Sequence, residues 1–376
     1  MKIQRYDMED WLNDSFDKKY NLAASGSQDF YLKEFLELCN APLDEFNSLF
    51  LGDNDTRGSS KLRNEIVKSY RQVNFDQVLV CNGTSEALFI LFNQLLAPGD
   101  EVVIPFPAFQ CLYQVPVSIG CRVKFLNLLE CKGWRLDLDR LDRLVTPATK
   151  MIIVNNPHNP MGWTLTPEEL VRLGEIARKN DCHLLFDEHY RYLPLPPGTE
   201  LVPSGYCTCK AITGKVVATG SMIKCFGTPG LRIGWLIGEP SLLAGCRDYK
   251  DYLTHTVPAI TDHIAYLALK NKDAIIRLKK SHLLKNRDLL NDFMAAHGDL
   301  FEYVEPSGGV VCFPGLKKQQ DSRHFCRQLI ARYSVSLLPG FAFGVENHFR
   351  INFGVDSDLF KNALALIREH IDRIEE

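Results

Sequence analysis

Val216-Val217-Ala218-Thr219-Gly220-Ser221-Met222-Ile223-Lys224-Cys225-Phe226-Gly227-Thr228-Pro229-Gly230-Leu231-Arg232-Ile233-Gly234-Trp235 is the stretch whose reading decides the fold. It starts with an apolar run, Val216 to Thr219, of the kind that forms a buried strand. A hydroxyl, a lysine, glycines and an arginine follow in a short irregular segment. A lysine just beyond a strand can form a Schiff base with a carbonyl group. Ser221 and Arg232 can hold a phosphate, the serine through its hydroxyl and the arginine through its fork of donors. Gly227 and Gly230 let backbone approach a ligand closely. A surface lysine in a glycine-rich loop is the plain alternative, and the flanking chain weighs against it.

Upstream, Asp181 to Phe186 leads into Asp187-Glu188-His189-Tyr190. Asp187 falls at the C-terminal end of a buried strand, where α/β sheets place their ligands. Glu188 and His189 read as helix-entry and packing residues. Lys150 to Val154 reads as another strand and ends in Asn155-Asn156-Pro157-His158-Asn159-Pro160-Met161-Gly162, a rigid loop in which cis X-Pro bonds are expected. Gln77 to Cys81 is a third strand. Asn82-Gly83-Thr84-Ser85-Glu86 turns it into a helix that Pro98-Gly99-Asp100 stops. A glycine-hydroxyl turn at a helix N-terminus favours an anion. It lacks the GxGxxG spacing, which weighs against a dinucleotide fold. Glu101 to Ile104 is a fourth strand, and Phe109 beyond it can stack on a flat ring.

Downstream, Arg232 to Ile237 reads as a strand and residues 240–297 as helices. Phe349-Arg350-Ile351-Asn352-Phe353-Gly354 alternates as a strand does. A closing amphipathic helix is capped by Asp356 or Ser357, with Phe360, Ala363, Leu364, Ile367, Ile371 and Ile374 on one face. Near the other end, Met8 to Leu12 starts a short amphipathic helix. Ala23-Ala24-Ser25-Gly26-Ser27 is a small-residue turn, either an ordinary loop or a segment lying close to a ligand. Gly58-Ser59-Ser60-Lys61-Leu62-Arg63 opens a helix.

In order and spacing these pieces resemble the class I/II aminotransferases. The resemblance implies an α/β protein of the pyridoxal-phosphate fold type I. Its large domain, residues 46–280, would hold a seven-stranded, mostly parallel sheet. Residues 1–45 and 281–376 would form a smaller α/β domain. A homodimer with active sites at the interface is also implied. Lys224 would carry pyridoxal 5'-phosphate as an aldimine and serve as the base at the substrate Cα. Asp187 would hold the ring nitrogen protonated, and Asn159 and Tyr190 would meet the phenolic oxygen. Phe109 would stack on the ring, while Gly83, Thr84, Ser85, Ser221 and Arg232 would hold the phosphate. Arg350 would grip the substrate carboxylate, with Ser25, Gly26 and Asn159 lining the same place.

Two positions depart from the common pattern. Ile223 stands where many members have serine, and Asp53 stands where most have a tyrosine that reaches the partner's phosphate. Glu9-Asp10-Trp11-Leu12, Ala24-Ser25-Gly26, the acidic residue at 53, Gly83 to Leu88, Pro157 to Pro160, Arg247 to Thr254 and Val335 to Gly344 look like the cyclases of the capreomycidine synthase type. Such enzymes expel a β-hydroxyl from 3-hydroxyarginine and close a ring through the guanidinium. An ordinary transaminase using a 2-oxo acid, or a non-catalytic amino-acid-binding relative, is the alternative. For a guanidino substrate, Asp29 and Asp55 are the candidate acidic partners.

Bulk properties bound the rest. At 376 residues the chain exceeds one typical core, so two domains are expected. A net charge of -3 gives no electrostatic basis for binding nucleic acid or an anionic membrane. No apolar run is long enough to span a bilayer, and the first residues show no apolar signal core. The twelve cysteines are scattered and read as reduced residues of a cytoplasmic protein. Cys207 and Cys209 lack a second pair at zinc spacing, so no metal is expected.

Overall fold

The computed structural model describes residues 2–317 and 321–375. A helix at Asp7–Asp14 and a short strand, β1 (Tyr20–Asn21), precede the main sheet. Seven strands then form one sheet: β2 (Val78–Cys81), β3 (Glu101–Phe106), β4 (Arg122–Asn127), β5 (Thr149–Asn155), β6 (His183–Asp187), β7 (Val216–Ser221) and β8 (Gly234–Ile237). Their order is β2-β8-β7-β6-β5-β3-β4. Only β8 runs antiparallel to its neighbours, so the sheet is mostly parallel, as the family resemblance implies.

A parallel sheet must be covered on both faces, and these strands are apolar at successive positions for that reason. Val78 and Val80 pack with Ile152, Val154, Leu184 and Phe186 on one face. Leu79 and Cys81 pack with Met151, Ile153, Leu185 and Val217 on the other. The helix Thr84–Leu95 covers the second face through Ala87, Leu88 and Leu91. The helix Pro167–Lys179 covers the first through Leu170, Leu173 and Ala177, and begins with a Thr166–Glu169 capping box and Pro167 in its first turn.

The remaining strands are short: β9 (Phe301–Glu302), β10 (Val311–Cys312), β11 (Gly315–Leu316), β12 (Val335–Ser336), β13 (Leu338–Pro339) and β14 (Phe349–Asn352). Antiparallel β14 lies between β10 and β13, and β1 pairs in parallel with β12. That last pairing brings residues 20–21 against residues 335–336 and sets the 23–28 segment beside β14. A long helix, Lys272–Ala296, links the two regions. The final helix, Ser357–Glu375, is capped by Asp356, whose Oδ1 accepts from the amides of Asp358 and Leu359.

Candidate active site

The carboxyl ends of the parallel strands gather the polar residues. Asn155 ends β5, Asp187 ends β6, Ser221 ends β7, and Gly83 lies two residues past β2. This is where a parallel sheet leaves backbone free to meet a ligand.

Asp187 is 1% exposed and held on three sides. Its Oδ1 accepts from the Thr219 hydroxyl at 2.6 Å and lies 2.9 Å from His189 Nδ1. Asn155 Nδ2 donates to the Asp187 carbonyl at 2.8 Å and approaches Oδ2 at 3.4 Å. Burial alone would raise this carboxyl, yet His189, Thr219 and Lys224 together hold it below the ordinary aspartate value. His189 therefore contacts the carboxylate directly, contrary to its reading as a packing residue. Glu188 does cap and pack: it accepts from the Ser204 hydroxyl and the Gly205 amide.

Lys224 projects from the segment after β7. Its Nζ donates to Ser25 Oγ at 2.8 Å. Burial and the nearby Arg350 and Arg232 push its ammonium down to about 8, against an opposing pull from Glu9 and Asp187. The 23–28 segment is strapped across this lysine. Ser27 N donates to Lys224 O at 2.8 Å, Tyr190 OH to Ser25 O at 2.8 Å, Asn352 Nδ2 to Gly26 O at 2.9 Å, and Lys279 Nζ to Gln28 O at 2.5 Å. The small residues at 23–27 permit this close passage, so the turn is no ordinary surface loop.

Arg350 is fully buried. Nη1 donates to Asn159 Oδ1 at 3.1 Å and Nη2 to Ala23 O at 2.7 Å, while Nε has no partner among the described residues. Burial draws it below its ordinary value, and Tyr190, Glu9 and Tyr6 offset this. Asn159 is anchored by its own amide, which donates to Asn155 Oδ1 at 2.6 Å. Asn156–Pro157 and Asn159–Pro160 are both cis. His158 is buried against Trp163, with ring centroids 4.4 Å apart.

The Gly83 turn faces Arg232. Gly83 has φ +85°, and a Cβ there would stand 3.0 Å from Arg232 Nη2 and 3.3 Å from Ile223 Cδ1. Ile223 thus presents a methyl where a serine would present a hydroxyl. Thr84 and Ser85 begin the helix beyond, with free amides at its positive end. Ser221 Oγ accepts from Ile223 N at 3.4 Å. Phe109 is partly buried and meets Tyr6 at 5.9 Å between ring centroids.

Among the acidic candidates, Asp55 is engaged elsewhere. It accepts from Arg63 Nη2 at 2.8 Å and from Arg57, and borders a cavity with Asn74, Asp76 and Arg247. Asp29 borders a groove with Phe30, Glu34, Lys279 and His282, and burial raises its carboxyl against the pull of Lys279 and Lys224. Asp53 is exposed and accepts from the Thr256 hydroxyl at 3.5 Å.

The donor set fits pyridoxal phosphate. A half-buried lysine of lowered pKa, a fixed carboxylate, an amide side chain beside an arginine, and a glycine turn against a second arginine stand together. Gly234 is a cradle of the same kind, since a Cβ there would lie 2.7 Å from both Gly83 C and Thr84 N.

The family model described as aminotransferase class I and II matches residues 45–367. The chain belongs to this family. Its cofactor is accordingly pyridoxal 5'-phosphate, and the protein is an aminotransferase-like enzyme that acts on an amino acid. Within the class I/II family, the chain is 30% identical to the capreomycidine synthase of Streptomyces vinaceus, over 97% of this chain and 93% of that one. Two solved structures, each 28% identical, share the fold over nearly the whole length. One is a PLP-dependent aminotransferase from Streptococcus suis, with TM-score 0.92 and coverage of 99% of both chains. The other is the PLP-dependent cyclase OrfR, with TM-score 0.89 and coverage of 98% of both. No described helix is long and apolar enough to cross a membrane.

Proposed function

We propose that this class I/II enzyme is a cyclase of a β-hydroxylated guanidino amino acid, of which 3-hydroxyarginine is the type. The observation that carries this reading is the likeness to capreomycidine synthase along 97% of the chain, supported by the likeness to a second cyclase.

Lys224 and Asp187, the latter positioned by Thr219, His189 and Asn155, would hold the cofactor with Asn159, Tyr190 and Phe109. Gly83, Thr84, Ser85, Ser221 and Arg232 would hold its phosphate. When bound, pyridoxal phosphate supplies an electron sink for the pair left at Cα. Arg350 fixes the substrate carboxylate through its fork, and the Ser25–Gly26 strap closes the space above Lys224 and keeps water out. The Lys224 amine takes the Cα proton and can hand it to the departing β-hydroxyl, which leaves as water. A guanidinium nitrogen then bonds to Cβ and gives up a proton, which Lys224 can return to Cα. The net change is loss of one water and closure of one ring.

The same reading includes the division into residues 46–280 against 1–45 and 281–376, and a homodimer. Exposed Phe50, Leu51, Tyr252, Leu253 and Ile260 near Asp53 and Thr256 support a face that a second copy would cover. A cytoplasmic location is supported by twelve cysteines that form no disulfide among the described residues.

Mass spectrometry of products tests the reaction. The cofactor-loaded protein is offered arginine and 3-hydroxyarginine, each with and without 2-oxoglutarate. Loss of water from 3-hydroxyarginine without the keto acid is the expected result. Glutamate formed only in the presence of 2-oxoglutarate, with no loss of water, would make the chain a transaminase instead.

A further inference from the structure

One hydroxyl touches the lysine amine directly. Ser25 Oγ accepts from Lys224 Nζ at 2.8 Å, and its own O–H finds no acceptor among the described residues. An ammonium has no lone pair and can only donate, so the serine proton is left free to point away from the lysine. Ser27, the strap's other serine, is buried, and its hydroxyl has no partner among the described residues. Ser25 is thus the strap hydroxyl presented to the amine.

The backbone around Ser25 is pinned to the same groups that surround it. Tyr190 OH donates to Ser25 O at 2.8 Å, Asn352 Nδ2 to Gly26 O at 2.9 Å, and Ser27 N to Lys224 O at 2.8 Å. On the other side, Arg350 Nη2 donates to Ala23 O at 2.7 Å. The strap therefore passes from Arg350 to Lys224 within Ala23-Ala24-Ser25, and two residue steps cover at most about 7 Å. A substrate with its carboxylate on Arg350 and its Cα proton facing Lys224 would lie along this stretch. Its β-oxygen, two bonds from Cα, would then come within reach of the Ser25 hydroxyl.

We propose that Ser25 is a further catalytic residue, whose hydroxyl passes the proton from Lys224 to the departing β-oxygen. The assignment rests on the cyclase reading above. Hydroxide is a poor leaving group and needs a proton as the Cβ–O bond breaks. Lys224 Nζ gains that proton from Cα. It gives the proton to Ser25 Oγ while the Ser25 O–H gives its own to the β-oxygen, which leaves as water. The electron pair left at Cα forms the second bond to Cβ, and the amine and the hydroxyl end as they began. Burial and Arg350 hold the Lys224 ammonium down to about 8, which makes it a readier proton donor than an ordinary lysine.

The test follows two reactions of the full-length holoenzyme in deuterium oxide. Exchange of the Cα proton of L-arginine, read by NMR, needs Lys224 and no leaving group. Loss of water from 3-hydroxyarginine, read by mass spectrometry, needs both. The wild type is compared with Ser25→Ala, Ser25→Gly and Ser25→Thr. The two variants without a hydroxyl are expected to slow water loss by roughly 10²-fold or more. They should slow exchange by about tenfold at most, the worth of one hydrogen bond to the amine. Ser25→Thr keeps a hydroxyl and should recover most of the water loss. Equal slowing of both reactions, or water loss as fast as in the wild type, overturns the relay and leaves the cyclase reading standing. A wild type that exchanges the Cα proton of arginine but releases no water from 3-hydroxyarginine overturns the cyclase reading, and the relay with it.

Discussion

Arg350 donates to Asn159 Oδ1 at 3.1 Å, joining strand β14 to the loop after β5 of the seven-stranded sheet. The arginine that would grip a substrate carboxylate is thus oriented by the amide that would meet the cofactor's oxygen. Replacing it with lysine keeps the charge and loses the fork and the Asn159 bond. Arg350→Lys is expected to raise KM for the amino-acid substrate roughly tenfold to a hundredfold. Cofactor affinity, measured by absorption titration, should not change.

In the proposed mechanism Lys224 would carry the proton transfers, so Lys224→Ala is expected to lower kcat by roughly 10²–10⁴-fold or more while the protein still melts cooperatively. Its lowered pKa has a pH signature in the cofactor-free protein. Below about 8 the amine is an ammonium and cannot attack a carbonyl, so the rate of reconstitution should rise with pH around a midpoint near 8 rather than 10.5. The stability sign follows from proton counting. Between about 8 and 10.5 the unfolded chain holds the Lys224 proton and the folded one does not, so this group's contribution to stability rises with pH there. Lys224→Ala should lack that rise relative to the wild type in thermal melts across the same window.

Thr219 reaches Asp187 from the adjacent strand, a bond between residues that lie side by side in the β6–β7 register. Thr219→Val removes one donor from a buried carboxylate. Asp187 should then titrate higher, moving the acidic limb of the kcat/KM profile upward by roughly one pH unit. A limb that does not move would mean that Asp187 does not govern it.

Gly234 sits where β8 passes behind the Gly83 turn. A methyl there meets backbone atoms at 2.7 Å, which cannot swing aside as a flexible side chain could. Gly234→Ala should cost about 1–3 kcal/mol in denaturant unfolding and weaken cofactor binding, since the turn facing Arg232 must shift. Gly99→Ala is the matching control for backbone strain, because its Cβ would meet nothing within 4 Å although its φ is +92°. That variant should leave cofactor binding intact.

Strand ends with a polar residue after an apolar run were legible directly, so Lys224, Asp187, Asn159 and the Gly83 turn stand out in the sequence and meet in the fold. The groups that position them were not. Thr219 is one more β-branched residue in a strand, and nothing local says that its hydroxyl faces Asp187 on the next strand. His189 looks like any residue at a strand exit until the backbone turns its ring back two positions. Asp55 shows why a lone carboxylate misleads: Arg63, eight residues on, folds back onto it from a helix. The strands outside the seven-stranded sheet are two to four residues long, too short for alternation to declare them.

The strap over Lys224 and the strand carrying Arg350 are joined by a hydrogen bond that spans 326 positions, from Asn352 to Gly26. A ribosome releases the first of these segments long before the second. Until residues 335–336 are made, the early segment has no β12 to lie against, and the lysine-bearing sheet can assemble without it. The pocket's roof is therefore its last part to set. Capture of a free amino acid by this site becomes possible only after β12 and β14 have emerged and threaded beside residues 20–28.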